Sequence, residues 1–273
     1  MSAKPQSVSG KRPSAAAAEA KRFKRLRLWN LGAGVSHLAQ AIVMVVLSTS
    51  FSVPIKTNYA VSTQNGPPSG ATESAQLVTM RLGIAVSLFL FMSALAHFLV
   101  SMPGIYDWYV RKLKDHINYA RWIEYAFSAS WMLVLIALLC GMYDLSSLIL
   151  LGVLNATMLL FGLLMERFNK ANKKVDWLPF YFGCFSWIVP WVTIWLYFTG
   201  AKGSNGGGPP GFVYGITISL FVFFSIFALN MVLQYKRVGK WKDYLFGERV
   251  YIILSLTAKA LLAWQVFAGT LAK

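Results

Sequence analysis

Seven uninterrupted apolar runs decide what this chain can fold into: 29 to 50, 78 to 101, 119 to 142, 146 to 166, 178 to 200, 211 to 235 and 248 to 270. Each is close to the roughly 20 residues that a helix needs to cross about 30 Å of hydrocarbon. In lipid every backbone polar group must be satisfied within its own segment, so the runs predict an all-α bundle of seven transmembrane helices. Gly66-Pro67-Pro68, Pro103-Gly104, the stretch from Gly203 to Gly211 and Gly239 supply turn chemistry between them. The chain is 56% hydrophobic and 13% charged, against about 25% charged in soluble domains. Its formal charge of +16 therefore does not mark a nucleic-acid binder, because the cations lie between apolar runs and line no folded polar face.

Their distribution sets an expected orientation. Leaving Lys259 aside, the N-terminal arm and the connections after the second, fourth and sixth runs hold 21 Lys and Arg, against 4 on the other side. Cytosolic loops are enriched in these residues, so the N-terminus is expected in the cytosol and the C-terminus outside, in a multi-pass protein of the plasma membrane. Residues 1–28 read as a flexible basic arm able to lie on anionic lipid, and 29–273 as the membrane domain. The long outer segment from Ser52 to Gln76 has strand character at Thr57 to Thr63, which allows a small hairpin. Cys140 and Cys184 fall at different depths, which argues against a disulfide.

Nine of the ten acids lie in tails, loops or helix ends, and Glu124 alone lies inside a span. Among the cations the same test leaves Lys259, near the bilayer midplane and too deep to snorkel. A charge at the centre costs roughly 2.5–3.5 kcal/mol on insertion scales, so the two are expected to pair. Glu124 is about 8 Å and Lys259 about 16 Å from the same side, and the Lys259 side chain leans back towards Glu124. The pair either fixes helix packing or serves chemistry. An apolar site favours the neutral amine, which condenses with an aldehyde, and a nearby carboxylate then balances the protonated imine.

Several motifs in order and at their spacings carry a resemblance: Gly34-Val-Ser-His-Leu, Asn65-Gly-Pro-Pro, Ala94-Leu-Ala-His-Phe, Arg121-Trp-Ile-Glu-Tyr, Asn155-Ala-Thr-Met, Pro179-Phe-Tyr-Phe-Gly-Cys, Pro210-Gly-Phe-Val-Tyr-Gly, Gly247-Glu-Arg-Val-Tyr and Ser255-Leu-Thr-Ala-Lys-Ala-Leu-Leu-Ala-Trp-Gln. From Trp29 to Leu271 the chain resembles the heliorhodopsins, whose inverted topology agrees with the charge count. The resemblance implies all-trans retinal as a Schiff base on Lys259, with Glu124 as counterion. It places Ser255 and Ser93 near the Schiff base, Tyr125, Asn155, Met158, Gly162, Tyr181, Phe224 and Trp264 around the retinal, and a homodimer in the bilayer. His37, His97 and Gln40 would belong to a polar cavity on the cytosolic side.

Light-driven proton pumps carry Arg-Tyr-x-Asp, a donor carboxylate eleven residues later and an Asp four residues before the lysine. Here Arg121-Trp-Ile-Glu124, Leu135 and Ser255 stand at those places, so one carboxylate remains where pumps use three. The expectation is a light sensor that retains the Schiff-base proton in the cytosolic cavity and signals to a cytoplasmic partner. The alternative is a light-gated ion or proton carrier. His37 and His97 remain open between hydrogen-bonded core residues, transient proton acceptors and metal ligands, the last with a poor donor set. No nucleophile–base pair points to an enzyme. Gly152, Ala156 and Gly162 read equally as close helix packing and as pocket floor.

Overall fold

A computed structural model describes residues 14–62, 68–169, 174–202 and 206–270. The helices are α1 (Ala15–Val46), α2 (Leu82–Leu99), α3 (Ile105–Lys114), α4 (Tyr119–Leu139), α5 (Leu145–Phe168), α6 (Leu178–Gly200), α7 (Gly211–Tyr235) and α8 (Tyr244–Thr270), with a 3-10 turn over Gly239–Lys242. All but α3 are long and apolar enough to cross a membrane. Their outward faces are apolar too: Leu150, Phe185, Leu196 and Phe127 are each about two-thirds exposed, the pattern expected of a bundle whose solvent is lipid.

The spanning helices form a ring in which α1 meets α2 and α8, α2 meets α4, α4 meets α5 and α5 meets α6. Between α6 and α7 the contact runs through large aromatic rings, with Trp187, Trp191 and Trp195 of α6 around Phe221 of α7. This spacing leaves interior volume beside Lys259. At the far end from the N-terminus the core is dense, with Leu133, Leu135, Ile136, Leu138, Ile194 and Leu262 fully buried.

α1 starts earlier than the apolar run predicts. The Ser14 side chain caps it by accepting from the Ala17 amide, and Ala15 to Ala18 are strong helix formers. Phe23 and Leu26 then pack with Leu113 of α3 and Leu245 of α8. Ion pairs Glu19–Lys114 and Arg22–Asp243 fix the same extension. The expected flexible arm is therefore helical from Ala15; residues 1–13 lie outside the described residues. So do Gly66-Pro67, which the sequence marks as a turn, and residues 203–205 of the glycine-rich stretch.

The long segment between α1 and α2 is an antiparallel hairpin of β1 (Ser52–Ser62) and β2 (Pro68–Arg81), paired from Ser52 opposite Arg81 to Tyr59 opposite Glu73 with a one-residue slip between Ile55 and Lys56. It begins before the predicted strand and takes residues 78–81 from the second apolar run. Val53 and Ile55 are buried in the main core, and the Lys56 amide donates to the Tyr143 carbonyl at 2.8 Å, so the hairpin is tied to the α4–α5 turn. On the amino-terminal face, α3 is an amphipathic helix that the sequence reading left as loop. Gly104, at φ 83°, starts it, a conformation that favours glycine. Tyr109 and Leu113 form its buried face, with Arg111, Lys112 and Lys114 at its C-terminal end, where cations complement the helix dipole.

Candidate functional site

α4 and α8 bring Glu124 and Lys259 together. The Lys259 ammonium donates to Glu124 Oε1 at 2.8 Å and to Ser255 Oγ at 3.0 Å. Ser255 sits one helical turn before Lys259, so its hydroxyl reaches the amine from the same helix face. From α2, the Ser93 hydroxyl donates to the same carboxylate oxygen at 2.6 Å. Lys259 Nζ also lies 5.0 Å from the centre of the Tyr125 ring, within cation–π range. Glu124, Ser255 and Tyr125 thus surround a lysine that is 3% exposed, which meets the condition for holding an ion in an apolar interior.

Lys259 lines a cavity of about 370 Å³, inside the roughly 300–1,000 Å³ of small-molecule sites. Tyr125, Met158, Gly162, Phe224 and Ser255, all expected around the chromophore, are among the residues that line it. Trp122, Gly183, Trp187 and Met231 also line it; the sequence reading missed them, although the 180/183/184/187 spacing marks one face of α6. Two expected contacts are corrected. Tyr181 is 62% exposed and Trp264 43% exposed, and neither borders the cavity. Tyr181 is one residue, about 100°, off the lining face of α6, and Trp264 is five residues, about 140°, around α8 from Lys259. Asn155 is buried but spends its amide on Ser130 Oγ at 3.0 Å. Gly162 serves both of its expected roles, since it lines the cavity and the Trp122 ring packs directly against its Cα.

The polar residues gather on the amino-terminal side of Lys259. His37 and His97 stack with ring centroids 5.6 Å apart. His97 Nδ1 is 2.8 Å from Asn30 Oδ1, whereas both ring nitrogens of His37 are buried without a protein partner. Such groups are ordinarily met by water. Gln40 Nε2 turns to Ser36 of its own helix, at 3.2 Å from the carbonyl. Among the described residues no group of three His, Cys, Asp or Glu is arranged to hold a metal ion.

A second charged cluster was not foreseen. Arg121 is bonded by one guanidinium nitrogen to Glu166 and by the other to Glu248, and side-chain exposure is 5% for Arg121, 4% for Glu166 and 2% for Glu248. Both acids do lie near helix ends, as their positions predict, but α3 and the α1 extension cover that end of the bundle. Asn118 ties the cluster together: its amide N–H donates to Glu166 at 2.8 Å, its side chain donates to Glu248 at 2.6 Å and its Oδ1 caps α4 at the Arg121 amide. A cavity of about 40 Å³, bordered by Asn30, His97, Asn118, Arg121, Glu124 and Glu248, separates this cluster from the Lys259 site.

No curated protein matches the sequence. Solved structures with the same fold include the transmembrane domain and linker region of Salpingoeca rosetta rhodopsin phosphodiesterase, at 15% identity and TM-score 0.63, over 96% of this chain and 84% of that one. The transmembrane domain alone of the same protein gives 15% identity and TM-score 0.63, over 96% of this chain and 90% of that one. The light-driven proton pump LR (Mac) from Leptosphaeria maculans matches at 16% identity and TM-score 0.60, over 87% of this chain and 94% of that one. Identities this low speak for the fold alone. The family model Heliorhodopsin matches residues 26–271, which takes in every spanning helix and the whole Lys259 site, and the chain accordingly belongs to the heliorhodopsin family.

Proposed function

We propose that this protein is a retinal-binding photoreceptor that signals rather than pumps, with all-trans retinal on Lys259 and Glu124 as counterion. The observation that carries the reading is the Lys259–Glu124 pair, 2.8 Å apart, with Lys259 lining an apolar cavity of about 370 Å³. Family membership implies a retinal chromophore, and the residues fit it: the Lys259 amine opens on largely apolar walls, with the Glu124 carboxylate bonded behind it. When bound, retinal supplies absorption of visible light and a change of shape on isomerisation.

The chain's own groups do the rest. Glu124 balances positive charge at Lys259 Nζ, and the Ser93 and Ser255 hydroxyls orient the pair. A proton leaving Nζ meets polar groups towards the amino-terminal face, where Glu124 and the stacked His37 and His97 lie. In the other direction Leu133, Leu135, Ile136 and Leu262 are fully buried, and Gln265 is already bonded to Ser219 at 3.2 Å. Vectorial transfer needs proton-carrying groups on both sides, so this asymmetry supports retention of the proton within the protein. A charge held out of place can bias a two-state element and so report light. We place the N-terminus in the cytosol, on the charge distribution, where the partner would meet the basic face, and take a homodimer in the plasma membrane from the family resemblance.

The test is illumination of cells expressing the pigment, with external pH and membrane current recorded. No sustained ionophore-sensitive pH change and no light-gated current are expected. A sustained pH change would make the protein a pump, and a current would make it a carrier.

A further inference from the structure

The charges around Arg121 do not balance. One guanidinium faces two carboxylates, and all three side chains are at least nine-tenths buried. Lys259 and Glu124, across the small cavity, cancel each other. The remaining neighbours supply no compensating ion pair: Tyr109 on α3, Tyr235 on α7, and Tyr244 and Tyr251 on α8 are phenols. His116 and Arg237 lie in the connecting loops together with Asp115 and Asp243, and among the described residues none of these is ion-paired to Glu166 or Glu248. An unmatched buried charge costs several kcal/mol, which a bound proton removes.

We propose that the Glu166–Glu248 pair is a second proton-binding site, holding one proton in the dark protein. The proton comes from water at the amino-terminal face, and binding converts one carboxylate to a neutral carboxylic acid and brings the cluster to zero net charge. Two further observations point to the water that supplies this proton. Arg121 Nε, inside the cluster, is a buried donor with no partner among the described residues. The cavity of about 40 Å³ that Arg121 borders exceeds the roughly 10–15 Å³ that one water needs. Glu248 borders that cavity whereas Glu166 does not, so water reaches the pair at Glu248. The site goes beyond chromophore chemistry and does not depend on it.

Infrared spectroscopy of the full chain in lipid nanodiscs, in the dark and with H/D exchange, reads protonated carboxyls directly. At neutral pH the parent should show one protonated carboxyl per chain, and Glu166→Gln and Glu248→Gln none, because Arg121 then matches the remaining carboxylate. Raising the pH should remove the parent's band and lower its thermal stability over the same range, without either change in the two cluster variants. Absence of the band in the parent or its persistence in both cluster variants would overturn the proposal. Should neither cluster variant fold, Glu166→Asp and Glu248→Asp, which keep both carboxyls, decide the matter: at least one should shift the band, and an unshifted band in both would overturn the proposal.

Discussion

Gly162→Ala tests how tightly the cavity wall is built. The new Cβ would fall on the six-membered ring of Trp122, within contact distance of Cζ3, Cη2 and Cε3. Moving the ring aside disturbs what holds it: the Arg121 guanidinium lies 4.7 Å from it, the Tyr251 ring 6.0 Å, and its indole N–H donates to Glu166 at 2.8 Å. Overpacking costs about 1–3 kcal/mol. A lost hydrogen bond to a charged group costs about 1.5–3 kcal/mol, and alanine returns about 1 kcal/mol of helix propensity. The net expectation is a loss of about 1.5–5 kcal/mol. Thermal unfolding in detergent, followed by tryptophan fluorescence, should therefore show a clear fall in Tm. Gly32→Ala, whose Cβ meets nothing within 4 Å, should leave Tm unchanged or raise it. Equal Tm for Gly162→Ala and Gly32→Ala would refute the packing argument.

Arg121→Gln should destabilise the protein by about 3–5 kcal/mol, because it leaves a buried carboxylate without its cation; adding Glu166→Gln should recover part of the loss in the same unfolding assay. Asn118→Ala removes the α4 cap and the side-chain bond to Glu248 together, and a cap alone is worth about 0.5–2 kcal/mol. Hydrogen exchange should speed up in the first turn of α4. His116 stacks on Tyr244 with ring centres 4.6 Å apart, and burial, helped by Arg237, pulls its pKa below the ordinary 6.5. The unfolded chain then binds the proton more readily, so stability present above about pH 6.5 is lost as pH falls below it. His116→Asn, which tolerates the φ of 59° there, should flatten that part of the stability–pH curve; an unchanged slope would contradict it.

The spans were legible because hydropathy over 20 residues is a strong signal, and the Lys259–Glu124 pair because ions are rare inside apolar runs. α3 was not, because ten amphipathic residues rich in Lys and Arg read as a charged loop until Tyr109 and Leu113 find α1 and α8. The Arg121 cluster was missed for a related reason. Position along a helix places Glu166 and Glu248 near the ends, but whether an end is wet depends on what covers it, here α3 and the extended α1. Arg121 near the start of a span, with acids at the same end of two others, was the available signal. Tyr181 and Trp264 show the limit of carrying contacts across a family, since side-chain direction turns by about 100° per residue. Trp122 illustrates the converse: it stands inside the Arg-Trp-Ile-Glu motif, yet its part in the wall follows only from the missing Cβ of Gly162.

The most direct test of the account is an absorption spectrum of membranes expressed with and without all-trans retinal, for the parent and for Lys259→Ala. A visible band that requires retinal, bleaches with hydroxylamine and light, and is absent from Lys259→Ala is the predicted result. A folded parent with no such band, or a band of the same position and stability in Lys259→Ala, would contradict the assignment of Lys259 as the chromophore's attachment point.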